Sequence, residues 1–222
     1  MAASQQPSEK ADEALEKLCR TYWYPLYVFL RRTGCTPHDA EDLTQAFFER
    51  VLERDYLHAV DRSRGKFRSF LLTTLQHFTA NHRRDARAQK RGGRCNFISL
   101  DDSAEKQYLQ AAFADASPAQ SFARQWAMTL LEQVVRRLRD EFVAEDKAAL
   151  FDELKIFLTG DKRAGGYAQL AMELATTEAA LKMAIRRMRQ RYGELLRAEI
   201  ASTVADPAEV EEELRALFAA LS

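Results

Sequence analysis

The chain has 222 residues, 46% of them hydrophobic, with 33 basic and 33 acidic side chains. That describes one or two folded domains with ordinary cores, and excludes a disordered chain. Glycine and proline are scarce beside Ala, Leu, Glu, Arg and Gln, so an all-α fold is predicted.

In chain order, Ser8 is read as the N-cap of a first helix through EKADEALEKLCRTYWYPLYVFLRR, with Pro25 as a kink or interruption and Gly34 as its end. Leu15, Leu18, Tyr22, Leu26, Phe29 and Leu30 form its apolar stripe. Thr36 caps a second helix, TPHDAEDLTQAFFERVLERD, with Pro37 at the first helical position. After the loop HAVDRSRG comes a third helix in GKFRSFLLTTLQHFTANHRRDARAQKRGG. Phe67, Phe70, Leu71, Thr74, Leu75 and Phe78 are placed on its core side, and Arg68, Gln76, Thr79 and Arg83 opposite. Periodicity then fades, which predicts a linker with a short helix around Ala104 to Phe113, ending at Pro118. Two further helices follow, in AQSFARQWAMTLLEQVVRRLRDEF and EDKAALFDELKIFLTG.

YAQLAMELATTEAALKMAIRRMRQRY reads as helix, turn and helix: Tyr167 to Leu174, Ala175 to Thr177, and Glu178 to Tyr192. Thr177 supplies a capping hydroxyl. Leu181, Ile185, Met188 and Tyr192 share the face that packs on Leu170 and Leu174. Glu178, Lys182, Arg186 and Arg189 share an exposed face, with Arg187 and Arg191 further round. A helix anchored on one side and cationic on the other suits a DNA major groove. Glycine is often found in such a turn where Ala175 stands. A final helix in ADPAEVEEELRALFAALS starts at Asp206 and Pro207, with Val210, Leu214, Leu217, Phe218 and Leu221 on its apolar side and Glu209, Glu211, Glu212 and Glu213 on its acidic side.

The neutral total conceals segregated charge. From Asp61 to Arg94 ten basic residues face two acidic ones, a net of +8; Glu178 to Arg197 carries +4, and Ala198 to Ser222 carries −5. Two cationic zones on a neutral chain point to two contacts with a polyanion. Cys19, Cys35 and Cys95 are isolated, and His38, His58, His77 and His82 make no ligand-like pair. With no phosphate loop or nucleophile motif either, no enzyme, cofactor or metal is expected. No apolar run approaches the ~20 residues that span a bilayer. The opening MAASQQPSEKADEA lacks the segments of a secretion signal, so a cytoplasmic protein without membrane insertion is expected.

Together the segments resemble a bacterial RNA polymerase sigma factor of the sigma-70 family, of the small extracytoplasmic-function (ECF) type. GCTPHDAEDLTQAFFERVLE is similar to the family's polymerase-binding helix. GKFRSFLLTTLQHFTANHRRDARAQKR is similar to its promoter-melting and −10-recognition helix, including the Asn81, Asp85, Arg87 spacing, although Phe70 stands where tryptophan is common. The segment Tyr167–Tyr192 is similar to its −35-reading helix-turn-helix. The resemblance implies a region 2-like domain at 8–94, a linker at 95–124, a region 4-like domain at 125–200 and a C-terminal acidic amphipathic helix at 201–222. It implies core RNA polymerase and promoter DNA as partners. Polymerase docking would fall to Asp39, Glu41, Asp42, Gln45, Phe48 and Glu49. DNA contacts would come from Arg62, Arg64, Lys66, Arg68, Asn81, Arg83, Arg84, Arg87, Lys90 and Arg91, and from Thr177, Glu178, Lys182, Arg186, Arg187 and Arg189. The flipped −10 base would be captured near Asp61–Lys66.

A stand-alone helix-turn-helix regulator is the alternative, though it leaves the acidic second helix and basic third helix without a purpose. The last helix has two readings: it completes the core of the C-terminal domain, or it docks on a basic DNA-binding face and masks it. An inhibitor of this protein would accordingly be a separate anti-sigma factor or that helix.

Overall fold

The computed structural model describes residues 6–53, 66–88, 103–110, 116–158, 166–204 and 206–222, and these contain helices and no strand. The helices are α1 (Gln6–Arg32), α2 (Pro37–Glu53), α3 (Phe67–Ala88), α4 (Ser103–Gln110), α5 (Pro118–Ala144), α6 (Ala148–Leu154), α7 (Gly166–Glu173), α8 (Glu178–Ala201) and α9 (Val210–Leu221). Single 3-10 turns at Lys155–Leu158 and Pro207–Glu209 follow α6 and precede α9. The all-α expectation holds.

Two compact units form, one from residues 1–129 and 203–222, the other from 130–202. The division falls within α5, and residues 203–222 belong to the first unit rather than completing the core of the domain that precedes them.

In the first unit α1 packs on α2, and α2 on α3. Their core includes Leu26 and Tyr27 of α1, Phe47 and Val51 of α2, and Leu71 and Leu75 of α3. The helix α1 continues across Pro25, so the interruption, one of the two expectations there, is absent, and the helix begins at Gln6, upstream of Ser8. An internal proline costs a helix about 3 kcal/mol. Burying Tyr22, Leu26, Phe29 and Leu30 around it, at about 1.5–3 kcal/mol per large apolar side chain, outweighs that cost. Thr79 also departs from its expected place. It is buried, because residues 71, 75 and 79 continue one line along α3.

The segment expected to be a linker is tied to α1 where it is described. Arg31 of α1 grips Glu105 of α4 with both ends of its guanidinium, at 3.0 and 2.8 Å, while the Tyr27 hydroxyl donates to the same carboxylate at 2.5 Å. The Arg31 guanidinium also lies 4.9 Å from the Tyr108 ring centroid. Partial burial opposes the charge on Glu105, but hydrogen bonds from Arg31 and Tyr27 prevail and hold its pKa below the usual carboxylate range.

Three helices end the same way. Cys35, Lys147 and Thr176 donate their backbone N–H to carbonyls five residues back, and Gly34, Asp146 and Ala175 donate theirs three residues back. This is the Schellman closure, which puts its central residue in the left-handed region. Gly34 meets that demand without strain at φ 89°, and Asp146, at φ 57°, belongs to a residue type that tolerates it. Ala175, at φ 49°, carries the strain that a glycine would remove. Ala175→Gly is expected to stabilise the second unit by about 0.5–1 kcal/mol, the left-handed penalty less the entropy glycine adds to the unfolded chain. Thermal unfolding followed by circular dichroism would show it as a higher midpoint. An unchanged or lower midpoint would mean that Ala175 is unstrained.

Candidate polymerase and nucleic-acid interfaces

The first candidate surface lies on α2. Thr36 opens the helix: its Oγ1 accepts from the Asp39 backbone N–H at 3.2 Å and donates to the Asp39 carboxylate at 2.8 Å. Asp39 is therefore engaged in capping, where its charge also complements the helix dipole. Beyond it the helix presents Asp42, 3.6 Å from the His38 ring, and Gln45, whose amide donates to Glu49 at 3.1 Å. Glu41 is partly exposed beside them. Phe48 does not join this surface. It is 5% exposed and packs edge-on against Phe47, because α2 lies between α1 and α3 and buries apolar side chains toward both.

The second surface is α3. Its core side is Leu71, Leu75 and Thr79, with Phe47 of α2 edge-on against Phe78. Gln76, His77, Asn81, His82 and Arg84 are exposed on the second half of the helix. Arg84 donates to the Asn81 side-chain carbonyl at 2.7 Å, His82 stacks on Phe78, and the Arg50 guanidinium lies 5.8 Å from the Phe78 centroid. Among the described residues this end of the helix is an outward polar face that carries the Arg84 guanidinium. At the other end Lys66 and Arg68 are only partly exposed and are paired with Glu212 and Glu213 of α9. Arg62, Arg64, Lys90 and Arg91, and the side chains of Arg83 and Arg87, lie outside the described residues.

The third surface belongs to the second unit. Thr177 is extended at φ −91°, ψ 152°, and its hydroxyl accepts from the Ala180 backbone N–H at 3.2 Å, so the expected cap is present. Leu181, Ile185 and Met188 bury one side of α8, which packs on α7, where Leu170 is buried. The helix runs to Ala201, well beyond the expected end at Tyr192.

Its cations divide by what they touch. Lys182 pairs with Glu178 and lies 5.4 Å from the Tyr167 ring centroid. Arg186 and Arg187 are exposed and make no ion pair among the described residues. Arg189 donates Nε to the Phe157 carbonyl at 2.8 Å, so it braces the 3-10 turn against α8 as well as lining the surface. Arg191 is clamped by Glu141 at 2.7 and 2.8 Å and by Glu194 at 3.1 Å. Those carboxylates hold the Arg191 pKa above the ordinary arginine value, and Arg191 in turn lowers that of Glu141. Tyr167, Lys182, Ile185, Arg186 and Arg189 line a shallow open depression here, an apolar floor with a cationic rim.

Sequence reasoning missed Glu141, Phe157 and Trp126 as partners of arginines. Each lies far along the chain from its partner, and a lone Glu or Phe on a helix gives no signal of the pairing. Among the described residues no cluster of His, Cys, Asp and Glu could hold a metal, and no helix is long and apolar enough to cross a membrane.

In the first unit an acidic, capped helix is thus packed beside one that ends in exposed polar and basic side chains. Residues 18–89 match the family model described as Sigma-70 region 2. Within residues 18–89 the chain is similar to that family's region 2, and the match spans about a third of its 222 residues. No curated protein and no solved structure matches the chain.

Proposed function

We propose that this chain is an ECF-type sigma factor that acts in the cytoplasm, docks on core RNA polymerase through α2, reads the −10 element as a single strand with α3 and its preceding loop, and reads the −35 element with α8. The observation that carries this reading is the combination of the region 2 domain with a second, capped helix–turn–helix element. Arg186 and Arg187 stand free among the described residues on the outer face of that element. Cationic side chains at such a position hold phosphates and reach base edges in the major groove. No covalent step is assigned to the protein. Strand opening draws on binding, since unstacking costs a few kcal/mol per base, offset by base capture and polymerase contacts. A stand-alone regulator would have no use for the region 2 domain.

The test is binding to purified bacterial core RNA polymerase. Asp39 caps α2, so replacing it would confuse docking with folding. The informative variant is Asp42→Ala, Gln45→Ala, Glu49→Ala. Wild type is expected to bind and this variant to lose at least about tenfold in affinity, as when several side chains of a charged interface are removed together. A variant that binds as well as wild type would take the docking role away from α2.

A further inference from the structure

The first turn of α3 is closed by a helix about 145 residues further along the chain. Lys66 Nζ lies 2.8 Å from Glu212 and 2.9 Å from Glu213. Arg68 approaches Glu213 with Nε at 2.8 Å and Nη2 at 3.3 Å, while its guanidinium lies 4.8 Å from the Trp126 ring centroid. The Glu213 side chain is 2% exposed, so this is not one of the loose surface pairs that solvent renders ineffective. Partial burial works against the charge of Lys66, but hydrogen bonds to the two glutamates keep its pKa above the ordinary lysine value.

The sequence pattern places Glu213 on the acidic side of α9, yet it shares the buried side with Leu214 and Leu217. Phe218, expected on the apolar side, is 56% exposed. A helix serving only to complete a core would place a hydrophobe at position 213, because replacing a buried ion pair with apolar side chains is commonly neutral or stabilising. Here the buried position instead holds a carboxylate on two cations. A guanidinium held by two oxygens is also the geometry in which arginine takes a phosphate.

We infer that α9 is an autoinhibitory cover, in which Glu212 and Glu213 occupy the phosphate-binding positions of Lys66 and Arg68 until single-stranded nucleic acid displaces them. The inference rests on the sigma-factor reading for the identity of the competing strand. The closure is built to be released: apolar packing of Leu214 and Leu217 gives the helix its seat, and a polyanion competes for the charged part. Two cations at the start of the strand-reading helix are thereby withheld from DNA in the free protein.

The test compares the full-length protein with a Glu212→Gln, Glu213→Gln double variant. Fluorescence anisotropy measures binding of a labelled single-stranded oligonucleotide across a salt series, and circular dichroism verifies that the variant folds. The variant is expected to bind about tenfold more tightly at low salt, with the difference shrinking as salt rises. Equal or weaker binding by a folded variant, or no binding by either protein, would overturn the inference. If the double variant does not fold, Glu212→Gln alone, at a side chain 58% exposed, is expected to give a gain of about two- to threefold, the share of one carboxylate in a partly screened pair. No gain would then count against the cover.

Hydrogen exchange on the unmodified chain supplies an independent readout. Amides of residues 210–221 are expected to lose protection at saturating oligonucleotide, and undiminished protection would show a permanent part of the domain. Wild-type binding to core polymerase is measured alongside. Its absence would sink the sigma-factor reading, whereas the oligonucleotide and exchange data judge the cover by themselves.

Discussion

Trp126→Ala is expected to cost the first unit about 3–5 kcal/mol, the range for deleting a large aromatic from a packed core. Trp126 has no exposed surface. It also supports the Arg68 guanidinium 4.8 Å from its ring centroid, so its loss removes packing and loosens the pair that seats α9. A typical domain has only about 5–15 kcal/mol of net stability, so the variant stands near or beyond the edge of folding. Denaturant unfolding followed by far-ultraviolet circular dichroism would register the loss as a lower midpoint. A change below about 1 kcal/mol, the scale of ordinary surface substitutions or less, would mean that the ring is not a core element.

The second large effect concerns DNA. Arg186→Ala is expected to weaken binding of a −35 duplex about tenfold or more, the scale of removing one good interaction with a base or phosphate from a recognition helix. Arg191→Ala, five residues further along the same helix, is expected to leave that affinity nearly unchanged, because its guanidinium is already committed to Glu141 and Glu194. Anisotropy titrations of both variants with the same duplex would decide. Equal losses would show that Arg191 leaves its carboxylates for DNA, and no loss at Arg186 would remove α8 from the proposed interface.

That contrast also marks how far the sequence could be read. Helix starts were legible because capping is local: Thr36 with Pro37, Thr177, and Asp206 with Pro207 all stand at helix starts, and the hydroxyls and carboxylate accept the expected N–H groups. Stripes such as Leu181, Ile185 and Met188 were legible because a period of 3.6 residues survives without knowledge of the partner. What failed needed a third body. Phe48 looks like half of an aromatic surface until α2 is found packed on both sides. Glu213 falls at apolar spacing between Val210 and Leu217, but its chemistry argues for solvent until Lys66 and Arg68 are seen beside it. Pro25 argues for a kink or an interruption, and only the burial around it shows why the helix continues. Spacing assigns the arginines of α8 to faces, but which of them are already engaged is decided by Phe157 and Glu141, which lie 32 and 50 residues away.

The first unit is assembled from two stretches of chain, with the whole of the second unit encoded between them. On the ribosome, residues 130–202 are finished before α9 has been made. During that interval Lys66 and Arg68 have no carboxylates to meet, and the seat for Leu214 and Leu217 is empty. At ordinary translation speeds the twenty residues from 203 to 222 take about one to four seconds to add. For that time Lys66 and Arg68 lack the carboxylates that neutralise them in the finished unit. The contact that closes the first unit is therefore the last to be encoded, after the whole of the second unit.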